Sequence, residues 1–549
     1  MDGPAAGPES AAPKVRGRGI PVVSQRKRYE LFIFITGAVT LALEVLSSRI
    51  MTPYFGVSLF IWSGILSITL SFLAIGYWAG GKAAIGKTPE QLLTLFLAGP
   101  AAASIAIGIA AILYPAVFPV LAEFDLVVGS FVGGAILLAV PIVSLSAMNP
   151  LLVALRRESD PQGDAGAGWV FFVSTVGSVA GVLVTAFVFI PLFTNFRGML
   201  LLGVVIGLGT MALAALATRP TASARRAVMS AAALGVALCV ALAAGRDAYL
   251  GALTAESDIR FEIVAQYSSL YGTIKVVDAH SPGGNSRLYL QDGLVQNYVG
   301  TDGISLSLHT HALEELSFAF TRDPRAALVL GVAAGLVPMR FKKAGMAVTV
   351  VDINPHSPEI ASRYFGFDPM GIDVRIQDAR TYVRGCHADR GRFDVVVVDL
   401  FHGDGTPDYL MTVEFFADVA ACLNRNGIVV MNIFFDSQDN APNQRVLATV
   451  ASAFGVVMEF RTPNGGAFLV ATNSAPPAQV SFPGTEVPES LRSAFAATVA
   501  FAHLIGPAEL QGVKPFTDHQ NAFSFVFARA QMEHRQWWAA GLPSGLLVN

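Results

Sequence analysis

The sequence predicts two folds in tandem: a multi-pass α-helical membrane domain, then an α/β domain of Rossmann-like type that opens with a small antiparallel β-sheet. Three observations predict it. The 549-residue chain is 53% hydrophobic and 14% charged, against about 25% charged in an ordinary soluble domain, and its mean hydropathy is +0.54. The apolar excess lies before residue 250, in uncharged windows of about 20 residues, the length needed to span a bilayer. After Arg246 the composition turns globular, and from Ala327 the rhythm becomes strand, glycine loop, helix, strand.

A basic tail, residues 1–28, carries Lys14, Arg16, Arg18, Arg26, Lys27 and Arg28. The spans expected within 29–246 are Leu31–Met51, Leu59–Gly80, Leu92–Val120, Leu126–Leu155, Val170–Phe193, Met199–Ala217 and Val228–Ala244, which makes about seven. A cleaved signal peptide does not account for them, because the basic start leads into a long span with no small-residue cleavage pattern and many spans follow. Alternate loops hold Lys82 and Lys87, Arg156 and Arg157, then Arg219, Arg225 and Arg226. Positive charge stays inside, so the N-terminus is expected in the cytoplasm and the protein in the plasma (inner) membrane. An odd span count would put the C-terminal half outside, where a nucleoside is not normally supplied. Either Leu92–Leu155, with Pro100, Pro115 and Pro141, hides an extra or re-entrant segment, or the charge rule fails, or that half faces outward. Glu44 is the ionisable residue to notice inside a span, with Arg49 a candidate partner. The small residues Gly177, Gly181, Gly203 and Gly207 suit close helix packing.

Residues 255–320 read as a lead-in sheet, since Tyr267–Asp278 and Ser286–Gln296 alternate apolar and polar residues around glycine breaks. Residues 321–475 read as the Rossmann-like unit. Its first motif is AALVLGVAAGLVPMRFKKAGMAVTVVD, from Ala326 to Asp352. Gly331 and Gly335 let backbone approach a ligand, and Asp352, roughly 20 residues on, can accept ribose hydroxyl protons. Alone, this pattern fits NAD or an S-adenosyl ligand equally. Val374–Ile376 then leads to Asp378, Phe393–Val398 to Asp399, Val413–Leu423 is helical, and Gly427–Ile433 is a strand. That is a doubly wound parallel sheet with three carboxylates at consecutive strand ends, the edge where such sheets bind ligands. Strand-end aspartates also cap helices, so each has a structural reading beside the functional one. Residues 476–549 form a C-terminal extension that begins Pro-rich and carries Trp537 and Trp538, which suit either the domain surface or a membrane interface.

With these motifs assembled, the chain resembles the spermidine synthase (polyamine aminopropyltransferase) family, in its membrane-fused bacterial form. The resemblance rests on FITGAVTLALEVLSSRIMTPYFG, SSLYGTIKVVD, LYLQDGLVQ, VLGVAAG, VVDINP, IQDARTYV, VVVVDLFHGDGTP and LMTVEFF, in that order. It implies an S-adenosylmethionine-dependent-transferase fold and decarboxylated S-adenosylmethionine as donor, with an amine such as putrescine as acceptor and methylthioadenosine as by-product. It also implies roles: Asp352 for ribose, Asp378 with Ala379 for adenine, Asp399 for the amine's proton, and Tyr271, Gly331, Gly335 and Ile353 around the nucleoside. Gln296, His309, His311 and His402 would meet the acceptor, with Asp404 a second acid.

The departures are specific. The family's GGGDG loop is Gly331-Val332-Ala333-Ala334-Gly335, with Ala334 in the aspartate's place. Gly272 follows Tyr271 where a Gln is usual, His309-Thr310-His311 stands for an acidic Tyr-x-Glu, and Phe516-Thr517-Asp518 for LTDD. Missing loop acid suits intact S-adenosylmethionine as well as the decarboxylated form. Two further readings therefore stand: a methyltransferase acting on a membrane-proximal substrate, and a non-catalytic nucleoside or polyamine sensor or transporter. No metal is expected, because Cys239, Cys386 and Cys422 lack ligand spacing and form no evident framework. Net charge of −3 without a basic stripe argues against nucleic acid as a partner. The expected partners are a small amine and the bilayer, with a homo-oligomer left open.

Overall fold

The computed structural model describes residues 22–57, 59–159, 166–254, 259–388, 391–401, 403, 405–462, 465–475, 480–482 and 486–549. The basic residues before 22 lie outside them, as do His402 and Asp404.

The N-terminal half is a helical bundle: α1 (Val22–Phe55), α2 (Leu59–Ala84), α3 (Pro89–Phe124), α4 (Leu126–Ser146), α5 (Met148–Ser159), α6 (Ala167–Val184), α7 (Ile190–Leu192), α8 (Asn195–Leu216), α9 (Ala222–Ala244) and α10 (Arg246–Thr254). A π-helical turn, Thr185–Phe189, joins α6 to α7. Side chains set the starts of these helices. Thr88 and Gln91 form a reciprocal capping box on α3, Asp125 caps α4 through the Val128 N–H (2.8 Å), and Thr194 and Thr221 cap α8 and α9. Among the described residues, seven helices are long and apolar enough to cross a membrane. The segment Leu92–Leu155 holds one long helix, a break at Asp125 and the next span, with no additional span among the described residues. The glycines act as expected in packing: a Cβ on Gly177 or Gly181 would lie 2.1 Å from a carbonyl oxygen of α1, so only glycine lets α6 come this close. Arg49 does not pair with Glu44. Its guanidinium donates instead to the Ser269 carbonyl (2.6 Å) beyond the bundle, where charge can leave the hydrocarbon.

A four-stranded antiparallel sheet follows in the order β1 (Arg260–Ser269), β2 (Gly272–Ser281), β3 (Gly284–Gln291), β4 (Leu294–Gly300). Each of the two alternating stretches, Tyr267–Asp278 and Ser286–Gln296, holds the turn of a hairpin. The second turns at Asp292 and Gly293, both at positive φ (47° and 82°), the geometry that matches strand twist. This sheet is a middle layer. Val277, Ala279, Leu288 and Leu290 pack into the bundle's core, while Ile274, Val276 and Tyr289 pack against the α/β domain.

The α/β domain comprises α11 (Leu308–Phe320), β5 (Ala326–Leu330), α12 (Leu336–Lys343), β6 (Ala347–Asp352), α13 (His356–Phe365), β7 (Ile372–Ile376), α14 (Ala379–Gly385), β8 (Phe393–Val398), α15 (Val413–Cys422), β9 (Leu423–Phe434), α16 (Asn440–Ala451), β10 (Val456–Arg461), β11 (Gly466–Thr472), α17 (Glu489–Ala500) and β12 (Ala502–Leu504). Its eight strands run β12-β10-β11-β9-β8-β5-β6-β7. The five from β9 to β7 are parallel as expected, but β11, β10 and β12 are added through antiparallel pairings, so the sheet is mixed. Alternate residues feed two cores: Leu328, Leu330, Val396 and Val398 on one face, Ala327, Val329, Val395 and Val397 on the other. Cys386 and Cys422, which suggested no framework in the sequence, are joined as a disulfide where the ends of α14 and α15 meet.

The extension closes with α18 (Phe523–Val526), α19 (Ala528–Gly541) and α20 (Ser544–Leu547). It fastens the two halves together. Fully buried Arg535 donates to the carbonyls of Pro53 in α1 and Asp292 in the lead-in sheet (3.3 and 2.5 Å). Buried Lys275 donates to the carbonyls of Leu546 and Val548 (2.7 Å each), and burial pushes its ammonium pKa well down. Gln536 donates to Ala122 in α3 (2.8 Å).

Candidate nucleoside-binding cleft

The parallel strands reverse order between β5 and β8, and a cleft of about 1080 Å³ opens at their C-terminal ends, the position ligands take in open α/β sheets. At its floor the turn after β5 is shaped by two glycines. Gly331 (φ 95°) could carry no Cβ, which would lie 2.2 Å from the Asp399 carbonyl oxygen, and Gly335 (φ 77°) would clash with Phe367. Ala333 also sits at positive φ (42°), and it is Ala333 that lines the cleft. Ala334 is buried in the apolar cluster with Ile274, Val276 and Ile360. The position matched to the family's aspartate thus faces packed side chains.

Asp352 ends β6 with both oxygens engaged. Oδ2 accepts from the Val332 N–H (3.0 Å) and Oδ1 from the Asn354 N–H (2.8 Å). Burial pushes its pKa up while those two amides pull it back. Each oxygen keeps a second acceptor site, so a pair of vicinal hydroxyls can still bind. Ile353 lines the cleft beside it.

Asp378 does what a capping aspartate does. Its Oδ1 accepts from the Thr381 N–H and hydroxyl (2.8 and 2.9 Å), starting α14 next to Ala379. Its Oδ2 accepts from the Tyr409 hydroxyl (2.7 Å), and both residues line the cleft. A chain of contacts stands behind this pair: Arg380 holds the Tyr409 carbonyl (2.8 Å) and is itself held by Asp518 (2.5 Å). Asp518, from the segment compared with LTDD, therefore reaches the cleft only through other residues.

Asp399 follows β8 and lines the cleft, its backbone N–H bonded to the Leu330 carbonyl (3.0 Å) and its Oδ1 accepting from Asn432 of β9 (3.0 Å). His309, at the start of α11, lines the cleft close enough to feel the Asp399 charge. Burial lowers its pKa more than that charge raises it, which favours the neutral imidazole. His311 belongs elsewhere. Two residues on in a helix is about 200° around, and its ring faces away, with Nε2 on the Ser305 carbonyl (2.8 Å). Tyr271 and Gln296 line the cleft. The departure at Gly272 has a cause: it begins β2 at φ 113°, and any Cβ would lie 2.2 Å from the Asp292 carboxylate.

Several lining residues carried no motif. Asn432, Tyr409 and Tyr289 come from the α/β core and the lead-in sheet, and Phe434, His534, Trp537 and Trp538 build the far wall. Among the described residues no group of three or more His, Cys, Asp or Glu side chains could hold a metal ion.

Fold and cleft define a class: a bundle with seven long apolar helices among the described residues, carrying a Rossmann-like α/β domain with a mixed sheet. No family model matches the chain, but it is similar to proteins named polyamine aminopropyltransferase. The protein of that name from Vibrio vulnificus is 31% identical over 147 residues, 26% of this chain and 48% of that one. The one from Mycobacterium tuberculosis is 26% identical over 409 residues, 70% of this chain and 75% of that one, a share that must include part of the bundle. The chain spans about half the length of the first of these relatives. Among solved structures, a probable spermidine synthase from Corynebacterium glutamicum aligns with a TM-score of 0.37 at 20% identity, over 47% of this chain and 97% of that one.

Proposed function

We propose that this protein is a membrane-embedded, spermidine synthase-like aminopropyltransferase, taking decarboxylated S-adenosylmethionine as donor and an amine as acceptor. The observation that carries the reading is Asp399, fixed by Asn432 at the switch point between the Asp352 end of the cleft and His309. In the reaction the acceptor nitrogen forms a bond to the aminopropyl carbon. The carbon–sulfur bond breaks with its electron pair going to sulfur, so neutral methylthioadenosine leaves without an acid. Asp399 receives the proton that the amine must lose. Asp352 would hold the ribose, and Asp378, Ala379 and Tyr409 would flank the base, which fixes the donor while the amine approaches in line. Tyr271, Ile353 and the Gly331–Gly335 turn would complete the donor site, with Gln296 and His309 on the acceptor side.

A second reading is favoured by topology. Seven spans with a cytoplasmic N-terminus would turn the α/β half outward, and the Cys386–Cys422 disulfide suits an oxidising compartment. There the domain would act as a nucleoside or polyamine sensor.

One experiment separates these. Detergent-purified protein is incubated with each donor and an amine, donor binding is measured by calorimetry, and products are read by mass spectrometry. Methylthioadenosine that vanishes in Asp399→Asn is expected. S-adenosylhomocysteine would replace the proposal with methyl transfer, and binding with neither product would leave the sensor. A C-terminal alkaline phosphatase fusion, inactive if the domain is cytoplasmic, settles the side.

A further inference from the structure

The end of the bundle opposite the α/β domain holds a second cavity. Helix α2 leaves the side where Pro53 meets Arg535 and runs 26 residues, about 39 Å, to that opposite end. There its last turn, the loop Ile85–Lys87, the start of α3 and the end of α5 enclose about 560 Å³. Two cations line the space, Lys87 from the loop and Arg157 from α5. Among the described residues neither makes a hydrogen bond or an ion pair, while the adjacent Arg156 shares Glu30 with Arg26 (3.4 and 3.1 Å). None of the described lining residues is acidic, and Glu90 on the first turn of α3 turns to α9, accepting from the Thr221 N–H (2.9 Å). Two like charges on one cavity repel, and a shared anion removes that cost.

Packing within the chain does not account for the shape of this cavity. Gly80 of α2 is required, since a Cβ there would lie 2.4 Å from the Ala147 carbonyl oxygen, but a Cβ on Gly81 would meet nothing within 4 Å. Glycine weakens a helix relative to alanine, and here it leaves one wall as bare backbone, open to a bulky group. Position identifies that group. On the outer face of the same helix end, Lys82 lies over the Trp78 ring (4.6 Å to the centroid), with Trp78 63% and Ile85 77% exposed. An exposed indole with a lysine reaching past it marks a helix leaving hydrocarbon for headgroups. The cavity thus stands at headgroup level, its cations at the outer rim and Ala84 and Leu92 on its apolar side.

We propose that this cavity binds the phosphate headgroup of an anionic glycerophospholipid, with Lys87 and Arg157 as its charge partners. The arginine fork can span two phosphate oxygens while the lysine acts as a point charge. The proposal rests on the membrane-embedded reading of the bundle and is independent of the transferase reading. Detergent-purified protein is titrated with phosphatidylglycerol or with phosphatidylcholine of the same chains, whose added cation the lining residues offer no acid to meet. Bound lipid is counted by native mass spectrometry. One phosphatidylglycerol per chain is expected, held roughly 30-fold more tightly than phosphatidylcholine, about fivefold for each cation. Lys87→Gln combined with Arg157→Gln should bring the two lipids within about twofold. Lys82→Gln removes the same charge outside the cavity and should leave the preference unchanged. Gly81→Leu fills the cavity, favours the helix, and should abolish the preference with every cation in place. Equal binding of the two lipids by the unaltered protein overturns the proposal, as does a preference that survives the double substitution or Gly81→Leu, or one that Lys82→Gln lowers as much as Lys87→Gln. Displacement of the lipid by an equal concentration of soluble glycerol phosphate overturns the lipid assignment in favour of a free phosphate. Failure to enter nanodiscs of either lipid would overturn the membrane reading instead, whereas entry into both without preference overturns the headgroup site alone.

Discussion

The two ends of the cleft are made by opposite means. At the proposed donor end, backbone amides and strand-end carboxylates shape the surface, held by residues close in sequence: Val332 and Asn354 on Asp352, Thr381 on Asp378. At the opposite end, the proposed acceptor side, the surface is largely aromatic and is supplied by α19, more than a hundred residues on from Asp399. The first construction suits a ligand of fixed shape, because its polar atoms are positioned by hydrogen bonds. The second fits by area and tolerates variation in what it meets.

Substitutions can break this division. The largest effect is expected between the two ends: Asp399→Asn should lower product formation by roughly 10²- to 10⁴-fold while calorimetric donor affinity stays unchanged. Equal loss of donor binding would show that Asp399 belongs to the donor end. Asp352→Asn comes next, weakening the donor by about 1.5–3 kcal/mol through loss of charged hydrogen bonds, with acceptor preference intact. Tyr409→Phe, which removes one hydroxyl from Asp378, should cost the donor about 1 kcal/mol; no change in affinity would mean that Asp378 only caps α14. The smallest effect concerns the side of α11 that faces away from His309. There burial pushes the carboxyl of Glu314 from 4.5 up to about 8. Across that window the folded state holds a proton that the unfolded chain has released, so stability is full below pH 4.5, falls as pH rises, and levels off above 8. Glu314→Gln should flatten this slope, with a melting temperature about 2–4 °C above the unaltered protein at pH 8.5 and amine preference unmoved.

The sequence disclosed the donor end far better than the acceptor end. Gly331, Asp352, Asp378 and Asp399 sit at element boundaries, where one residue type at one spacing has a physical cause that can be read locally. Even there, the turn's conformation decides that Ala333 faces the cleft and Ala334 the core, which spacing cannot tell. His309 and His311 could be separated only once α11 was known to be a helix. Trp537 and Trp538 were visible as a pair, but their wall forms through tertiary packing of α19 on α1, α3 and β4, and nothing local announces it. The antiparallel strands β10 to β12 escaped for a related reason: a buried apolar strand reads the same in either direction. The Cys386–Cys422 disulfide depends on two helix ends brought together across 36 residues of sequence.

The clamp formed by Arg535 and Lys275 has a thermodynamic consequence. The helix that carries Trp537 also carries Arg535, whose guanidinium ties α1 and the lead-in sheet, and Lys275 holds the segment just after it. Anything that orders α19 by filling the cleft must then order the bundle's edge, and linkage makes this reciprocal. Lipids or detergents that loosen α1 against α3 should weaken amine binding by the same factor as bound amine resists them. A soluble-looking cleft would thereby sense the state of the bilayer.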